Sequence, residues 1–236
     1  MRAYTDWNCR LLPSMGDLIT TPDDAVNAIL ILKEKFGLSR FCMMPEFDCA
    51  TDSVASFLMR RENAFSCLKE RLPQDVRVTL GVGALVLPGL SEEIGLKKLL
   101  LPKTDLLPIR LPFFPSNETA KELNRLLYHV PYRLLFLSFD SYINFYPEED
   151  LLRWIKLPNA AFQFQYSALE NPQAIALLKH LLHQNAPIFF GTGINSYGKA
   201  CYYALDHYLA LAARHFNEYE RDLMFFPKAH TLRSLR

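Results

Sequence analysis

The sequence predicts an α/β fold with a mainly parallel sheet, and three observations carry that reading. Short apolar runs alternate with helical patterns from end to end. The strand candidates are apolar on both faces, as strands are when helices cover one side and packed side chains fill the other. The helical stretches also carry start and stop residues of their own.

The strand candidates, in order, are residues 2–8, 40–44, 76–82, 107–112, 133–139, 160–165 and 187–191. Between the first two, Thr21-Pro22-Asp23-Asp24 offers an N-cap hydroxyl, a proline at the first helical position and acids in the first turn. Ala25, Val26, Ile29, Leu30, Leu32 and Phe36 then supply an apolar face. Lys33, Glu34 and Lys35 keep the other side polar, and Gly37 ends the helix. Asn171-Pro172 opens a second helix through Ile175, Leu177, Leu178, Leu181 and Leu182. A third spans 198–215, where Tyr202, Tyr203 and Tyr208 with Phe216 read as packing residues rather than a stacking platform. No linker, low-complexity segment or fixed-period repeat divides the chain, so 1–236 reads as one domain. Seven strands alternating with helices suit a (β/α) barrel and a doubly wound open sheet equally.

With 236 residues, 50% of them hydrophobic, the chain can bury a large core. Its 26 basic and 25 acidic residues nearly cancel, which favours neither nucleic acid nor an anionic membrane as partner. The mildly basic stretch 228–236 reads as a solvated terminus. Five dispersed cysteines (Cys9, Cys42, Cys49, Cys67, Cys201) with no C-x-x-C pair suggest reduced thiols in the cytoplasm. The N-terminus lacks a basic segment followed by an apolar core, so no signal peptide is expected. No apolar run approaches the roughly 18 residues that span a bilayer. A soluble, cytoplasmic protein is the expectation.

Near the N-terminus stands Asp6-Trp7-Asn8-Cys9-Arg10-Leu11-Leu12-Pro13. It resembles the opening of the bacterial PHP-type (polymerase and histidinol phosphatase) tyrosine phosphatases of capsule and exopolysaccharide clusters, which read Asp-Ile-His-Cys-His-Ile-Leu-Pro. Asn8 and Arg10 fall where that family places two metal-binding histidines, and the first histidine of this chain is His129. Further segments follow in family order. Met44-Pro45-Glu46-Phe47 resembles Thr-Pro-His-His, and Gly81-Val82-Gly83-Ala84-Leu85 stands where the family has Gly-x-Glu. Leu137-Ser138-Phe139-Asp140-Ser141-Tyr142 resembles Ala-His-Pro-Glu-Arg-Tyr. Gly191-Thr192-Gly193-Ile194-Asn195-Ser196 resembles Ala-Ser-Asp-Ala-His-Asn, and Phe225-Phe226-Pro227 lies near a closing Asn-Pro.

The resemblance implies a distorted seven-stranded (β/α) barrel with its site at the C-terminal ends of the strands. The family's metal site needs imidazoles and bridging carboxylates converging there. In this chain an amide, a guanidinium, a carboxylate, a serine, a glycine and another amide (Asn8, Arg10, Glu46, Ser138, Gly193, Asn195) stand at the ligand positions, with Asp140 nearby. An amide oxygen is a weak ligand and a guanidinium cannot ligate a cation at all. Ser141 replaces an arginine suited to gripping phosphate, and no bridging glutamate is found.

The resemblance therefore implies a pseudophosphatase, without a cofactor, that binds, shields or scaffolds a partner. The family's partner is a bacterial tyrosine kinase governing capsule polysaccharide export, or its phosphotyrosine segment. One alternative is an active Mn-, Fe- or Zn-dependent tyrosine phosphatase on a shifted oxygen-rich site of Asp6, Asp17, Glu46, Asp48 and Asp140, which Arg10 would oppose. Another is a small-molecule or anion sensor using the emptied barrel mouth.

Within the mouth, Arg10 has two readings. It can receive an anion with hydrogen bonds from Asn8, Ser138, Thr192, Asn195 and Ser196. It can also act as a structural counter-charge to Asp6, Asp17 or Glu46. Thiol chemistry has no support: the sixth residue after each cysteine is Met15, Asp48, Ala55, Pro73 or His207, never the arginine of a C-x5-R loop. Cys9 reads as a buried structural thiol. His180 and His183 at i, i+3 read as a solvated helix face rather than half a metal site, as do His207 and His215. Gly191-Thr192-Gly193 reads as a tight strand-to-helix connection rather than a phosphate cradle. Trp7 reads as a plug for the space the metals would fill.

Overall fold

The computed structural model describes residues 4–15, 18–19, 21–195 and 204–227. The chain alternates β1 (Thr5–Cys9), α1 (Pro22–Phe36), β2 (Arg40–Met43), β3 (Glu46–Phe47), α2 (Val54–Lys69), β4 (Arg77–Leu80) and β5 (Gly83–Leu85). It continues with β6 (Leu106–Arg110), α3 (Asn117–His129), β7 (Arg133–Phe136), α4 (Glu148–Trp154), β8 (Ala160–Gln165), α5 (Pro172–His183) and β9 (Ile188–Gly191). Two helices, α6 (Leu205–His215) and α7 (Glu218–Phe225), close it.

Each of the seven anticipated strands is present, most with shifted ends: the sixth keeps its bounds of 160–165, the first runs on to Cys9 and the fourth starts at Leu106. The first begins at Thr5, and the fifth stops at Phe136 because Ser138 turns left-handed (φ 51°) into the 3-10 turn Phe139–Asn144. Two short strands, β3 and β5, were not anticipated. Pro45, which has no N–H to give a ladder, separates β2 from β3, and Gly81-Val82 separates β4 from β5.

All pairings are parallel, in a three-stranded sheet β1-β2-β4 and a six-stranded sheet β3-β5-β6-β7-β8-β9. Backbone bonds bridge the breaks: Gly81 N–H donates to Met43 O at 2.8 Å and Gly83 N–H to Pro45 O at 2.8 Å. Beyond β9, Gly193 N–H donates to Asn8 O at 2.8 Å, and Arg10 N–H to Ile194 O at 2.7 Å. Among the described residues the ladders form two sheets and not one closed seven-stranded ring.

Alternation along the strands creates two apolar layers. Leu107, Ile109, Leu134, Phe136, Phe162, Phe164, Ile188 and Phe190 face the helices. The residues between them, including Leu106, Leu135, Leu137, Ala161 and Phe189, join Cys42, Met44 and Leu101 in a separate inner cluster. This is why the strands lack polar alternation: both faces are buried, and each large side chain contributes about 1.5–3 kcal/mol of transfer free energy.

The helix signals hold locally. Thr21 Oγ1 accepts from Asp24 N–H at 3.1 Å, Pro22 opens α1, and Gly37 ends it at φ 60°. Asn171 Oδ1 accepts from Gln173 N–H at 2.9 Å ahead of α5. The helix expected over 198–215 begins at Leu205, because Ala204 is extended (ψ 157°), and residues 198–203 lie outside the described set. No helix among the described residues is long and apolar enough to cross a membrane.

Candidate functional site

Asn8, buried near the end of β1, ties four strands together. Its amide nitrogen donates to Gln163 Oε1 of β8 at 2.7 Å and to Ser138 Oγ, just beyond β7, at 3.0 Å. Its oxygen accepts from Arg110 Nη2, the last residue of β6, at 2.7 Å. Arg110 can lie across β5 because that strand carries Gly83 beside it. A Cβ there would stand 2.5 Å from Arg110 Nε. Gln163 Oε1 also accepts from Ser138 N–H at 2.8 Å, which holds Ser138 in a left-handed conformation that costs a non-glycine residue about 1 kcal/mol or more.

In front of this network opens a cavity of about 340 Å³. Arg10, Arg110 and Glu46 bring charge to it, and Ser138, Ser141, Gln165 and Gly193 bring polar atoms or backbone. Phe113 and Phe114 stand at its rim, 56% and 83% exposed, and Phe113 meets Phe145 at 5.0 Å between ring centroids. Among the described residues that line it, two cations, one carboxylate and exposed rings suit an anion attached to an apolar or aromatic body.

The anticipated residues divide between the cavity and its support. Arg10, Glu46, Ser138 and Gly193 line it. Asn8 lies behind, its amide engaged by protein partners. Thr192 is engaged too: its hydroxyl donates to Asp6 Oδ2 at 2.6 Å and accepts from Ile194 N–H at 3.3 Å. Asn195 places a buried Oδ1 with no hydrogen-bond partner among the described residues. Asp17 and Ser196 lie outside the described residues.

The oxygen-rich set does not converge. Asp6 is fully buried, and its carboxylate accepts from Asn8 N–H (3.0 Å), Thr192 N–H (3.0 Å) and the Thr192 hydroxyl. Burial raises its pKa, against those three bonds. It thus clamps β1 to the chain leaving β9, and Gly191 permits the approach: a Cβ there would lie 2.6 Å from Asn8 N. Asp48 Oδ1 accepts from Ala50 N–H at 2.8 Å in a local turn. Asp140 Oδ1 accepts from Gln165 N–H at 2.9 Å, and burial pushes its carboxyl up to about 7. Among the described residues, no three His, Cys, Asp or Glu side chains are grouped to hold a metal ion.

Other motifs resolve as packing. Thr192 N–H and Gly193 N–H bond Asp6 and Asn8, so the Gly191-Thr192-Gly193 turn is a connection and not a cradle. Cys9 is buried, with its thiol pKa driven far upward by desolvation. His180 and His183 are exposed on the last turn of α5, and His207 pairs with Glu170 at 3.2 Å. Trp7 does not fill the cavity. It packs into the inner cluster against Phe189, with ring centroids 5.0 Å apart.

The fold has solved counterparts. A chain from the crystal structures of YwqE of Bacillus subtilis and CpsB of Streptococcus pneumoniae, metal-dependent tyrosine phosphatases, matches with a TM-score of 0.70. The match covers 93% of this chain and 90% of that one at 18% identity. This chain has the fold of those phosphatases. Histidinol phosphate phosphatase of Lactococcus lactis, solved with zinc, L-histidinol and phosphate, matches with a TM-score of 0.56, covering 90% of this chain and 93% of that one at 11% identity. No family model and no curated protein matches the chain by sequence. Likeness at these identities fixes the scaffold, and the chemistry has to be argued from the side chains.

Three of those side chains escaped the sequence reading: Arg110, Gln163 and Gln165. Each ends, or nearly ends, a strand whose other residues are apolar. A polar residue at the C-terminal end of a strand in this class of fold is itself a signal.

Proposed function

We propose that this chain is a non-hydrolysing relative of the PHP-type tyrosine phosphatases, a pseudophosphatase whose strand-end cavity receives a phosphorylated ligand. One observation carries the reading: the Arg110 guanidinium bonds the Asn8 oxygen at 2.7 Å. Asn8 stands where the resemblance puts a metal-binding histidine, so a fixed cation occupies the place of the metal's ligand contact. The donor set therefore does not fit a transition metal, and among the described residues no cysteine lines the cavity to serve as nucleophile in place of a metal-activated hydroxide.

On this reading the nine strands follow seven paths of a distorted barrel. Strands β2–β3 and β4–β5 are each one path interrupted by Pro45 or by Gly81-Val82. Arg10 and Arg110 grip the phosphoryl group, Ser138 and Ser141 donate to it, and Phe113 and Phe114 flank its organic body. A phosphotyrosine segment, such as that of a bacterial tyrosine kinase, suits these features, and the tyrosine phosphatases sharing the fold support it.

The test joins elemental analysis to thermal shift. Purified protein should carry no stoichiometric Mn, Fe or Zn and should not hydrolyse phosphotyrosine peptides with added manganese. Phosphotyrosine should raise the melting temperature, and Arg10→Ala or Arg110→Ala should remove that shift. Two or three metal ions per chain with metal-dependent turnover would overturn the reading in favour of an active enzyme. A shift from inorganic phosphate equal to that from phosphotyrosine would redirect it to a small-anion sensor.

A further inference from the structure

A second cavity, of about 360 Å³, opens at the opposite end of the strands, where β1, β2 and β4 begin. Parallel pairing sets Thr5 beside Arg40, Arg40 beside Arg77, and Cys42 beside Thr79. Residues two apart on a strand share a face, and Trp7 accordingly joins Thr5 on this one. The second row runs from Trp7 and Cys42, which join the inner apolar cluster, to the exposed Thr79, and lines the same face. Phe226 and Pro227 add an apolar wall.

The outer row sets two guanidinium-bearing residues side by side, on strands about 4.8 Å apart. Like charges in directly opposed positions disfavour a sheet unless something of opposite sign sits between them. No carboxylate among the described residues lines this space. Arg77 donates to a backbone oxygen, Gln74 O, at 3.2 Å, and the Arg40 guanidinium has no ion pair among the described residues.

We propose that this cavity is a binding site for an apolar monocarboxylate. The carboxylate lies across Arg40 and Arg77, whose planar forks match its two oxygens. The acyl or aromatic body lies on Trp7, Cys42 and Thr79 under Phe226. At about 30 Å³ per non-hydrogen atom, the space holds on the order of twelve such atoms. The site shares no residue with the strand-end cavity, so it stands independently of the pseudophosphatase reading.

The chain has two tryptophans, and Trp154 is buried in the outer layer against Phe136. In the Trp154→Phe protein, Trp7 is therefore the remaining indole. Octanoate should change Trp7 emission saturably, octan-1-ol should bind at least tenfold more weakly, and inorganic phosphate should have no effect. Calorimetry on the unmodified chain should show 2-naphthoate binding and 2-naphthol at least tenfold weaker. Arg40→Ala with Arg77→Ala should reduce carboxylate affinity tenfold or more. Thr79→Phe should weaken binding by narrowing the cavity with both charges retained, and Arg110→Ala should leave it unchanged. Absence of saturable binding by both carboxylates, equal binding of acid and alcohol, or indifference to the paired arginine substitutions overturns the proposal.

Discussion

Asp140 shows how one buried carboxyl ties stability to pH. Its folded pKa is pushed up to about 7, while an unfolded aspartate ionises near pH ~3.9. Between those values the folded state holds the extra proton. The group's contribution to stability is therefore full below about pH 4 and is lost as pH rises through 7. Asp140→Asn keeps an acceptor for Gln165 N–H and removes the titration. The melting temperature of the parent should fall relative to the variant between pH 5 and pH 8, by a few degrees on the scale of about 2–4 °C per kcal/mol for a chain of this size. Parallel curves for the two proteins would contradict the raised pKa. The same residue scale marks where the sequence ran out. Arg10 and Glu46 were visible because a motif surrounds them. Arg110 was hidden at the end of an apolar run, since its meaning depends on Asn8, 102 positions away, and on a glycine across the neighbouring strand.

Helices were legible as elements because their signals are local. A cap, a proline and a terminal glycine act within one turn, and α1 and α5 begin where those residues stand. Helix α7 has the same kind of start in fuller form. Asn217 accepts from Glu220 N–H at 3.0 Å, and the Glu220 carboxylate accepts from Asn217 N–H at 2.8 Å. Asn217→Ala breaks that reciprocal pair and should cost about 1 kcal/mol, or roughly 2–4 °C in melting temperature measured by circular dichroism. Strands β3 and β5 were illegible for the opposite reason. Two and three residues carry no period, and their existence rests on register with each other and with β6. The chain interrupts each path with a residue, Pro45 or Gly81, that reads in sequence only as a strand's end.

At the scale of the molecule, a parallel α/β fold and seven of its strands could be read from alternation alone. How the first and last strands meet could not, because that depends on contacts between the two ends of the chain. Those contacts run through Asp6, Thr192 and Gly193, polar residues whose partners lie about two hundred positions apart. The Asn8 network then joins β1 to β6, β7 and β8 by hydrogen bonds alone. Folding should accordingly be indifferent to chelators: the melting temperature should be unchanged in EDTA. Asn8→Ala, which leaves Gln163 and Arg110 each short of a buried partner, should lower it by about 2 kcal/mol, roughly 4–8 °C. A drop in EDTA comparable to that of the variant would show that a metal holds these strands.

The bond between Asn8 and Arg110 also constrains the order in which this site can change. An imidazole placed at position 8 would face a guanidinium where a cation must arrive, and the two positive charges would compete for one pocket. Asn8→His alone should therefore recruit no metal, measured by equilibrium dialysis against manganese, and should be less stable than the parent. Removing the arginine first leaves Asn8 with an unfilled acceptor but clears the space. The two positions are thus coupled: exchanging either one leaves the other without the hydrogen-bond partner it now has at 2.7 Å.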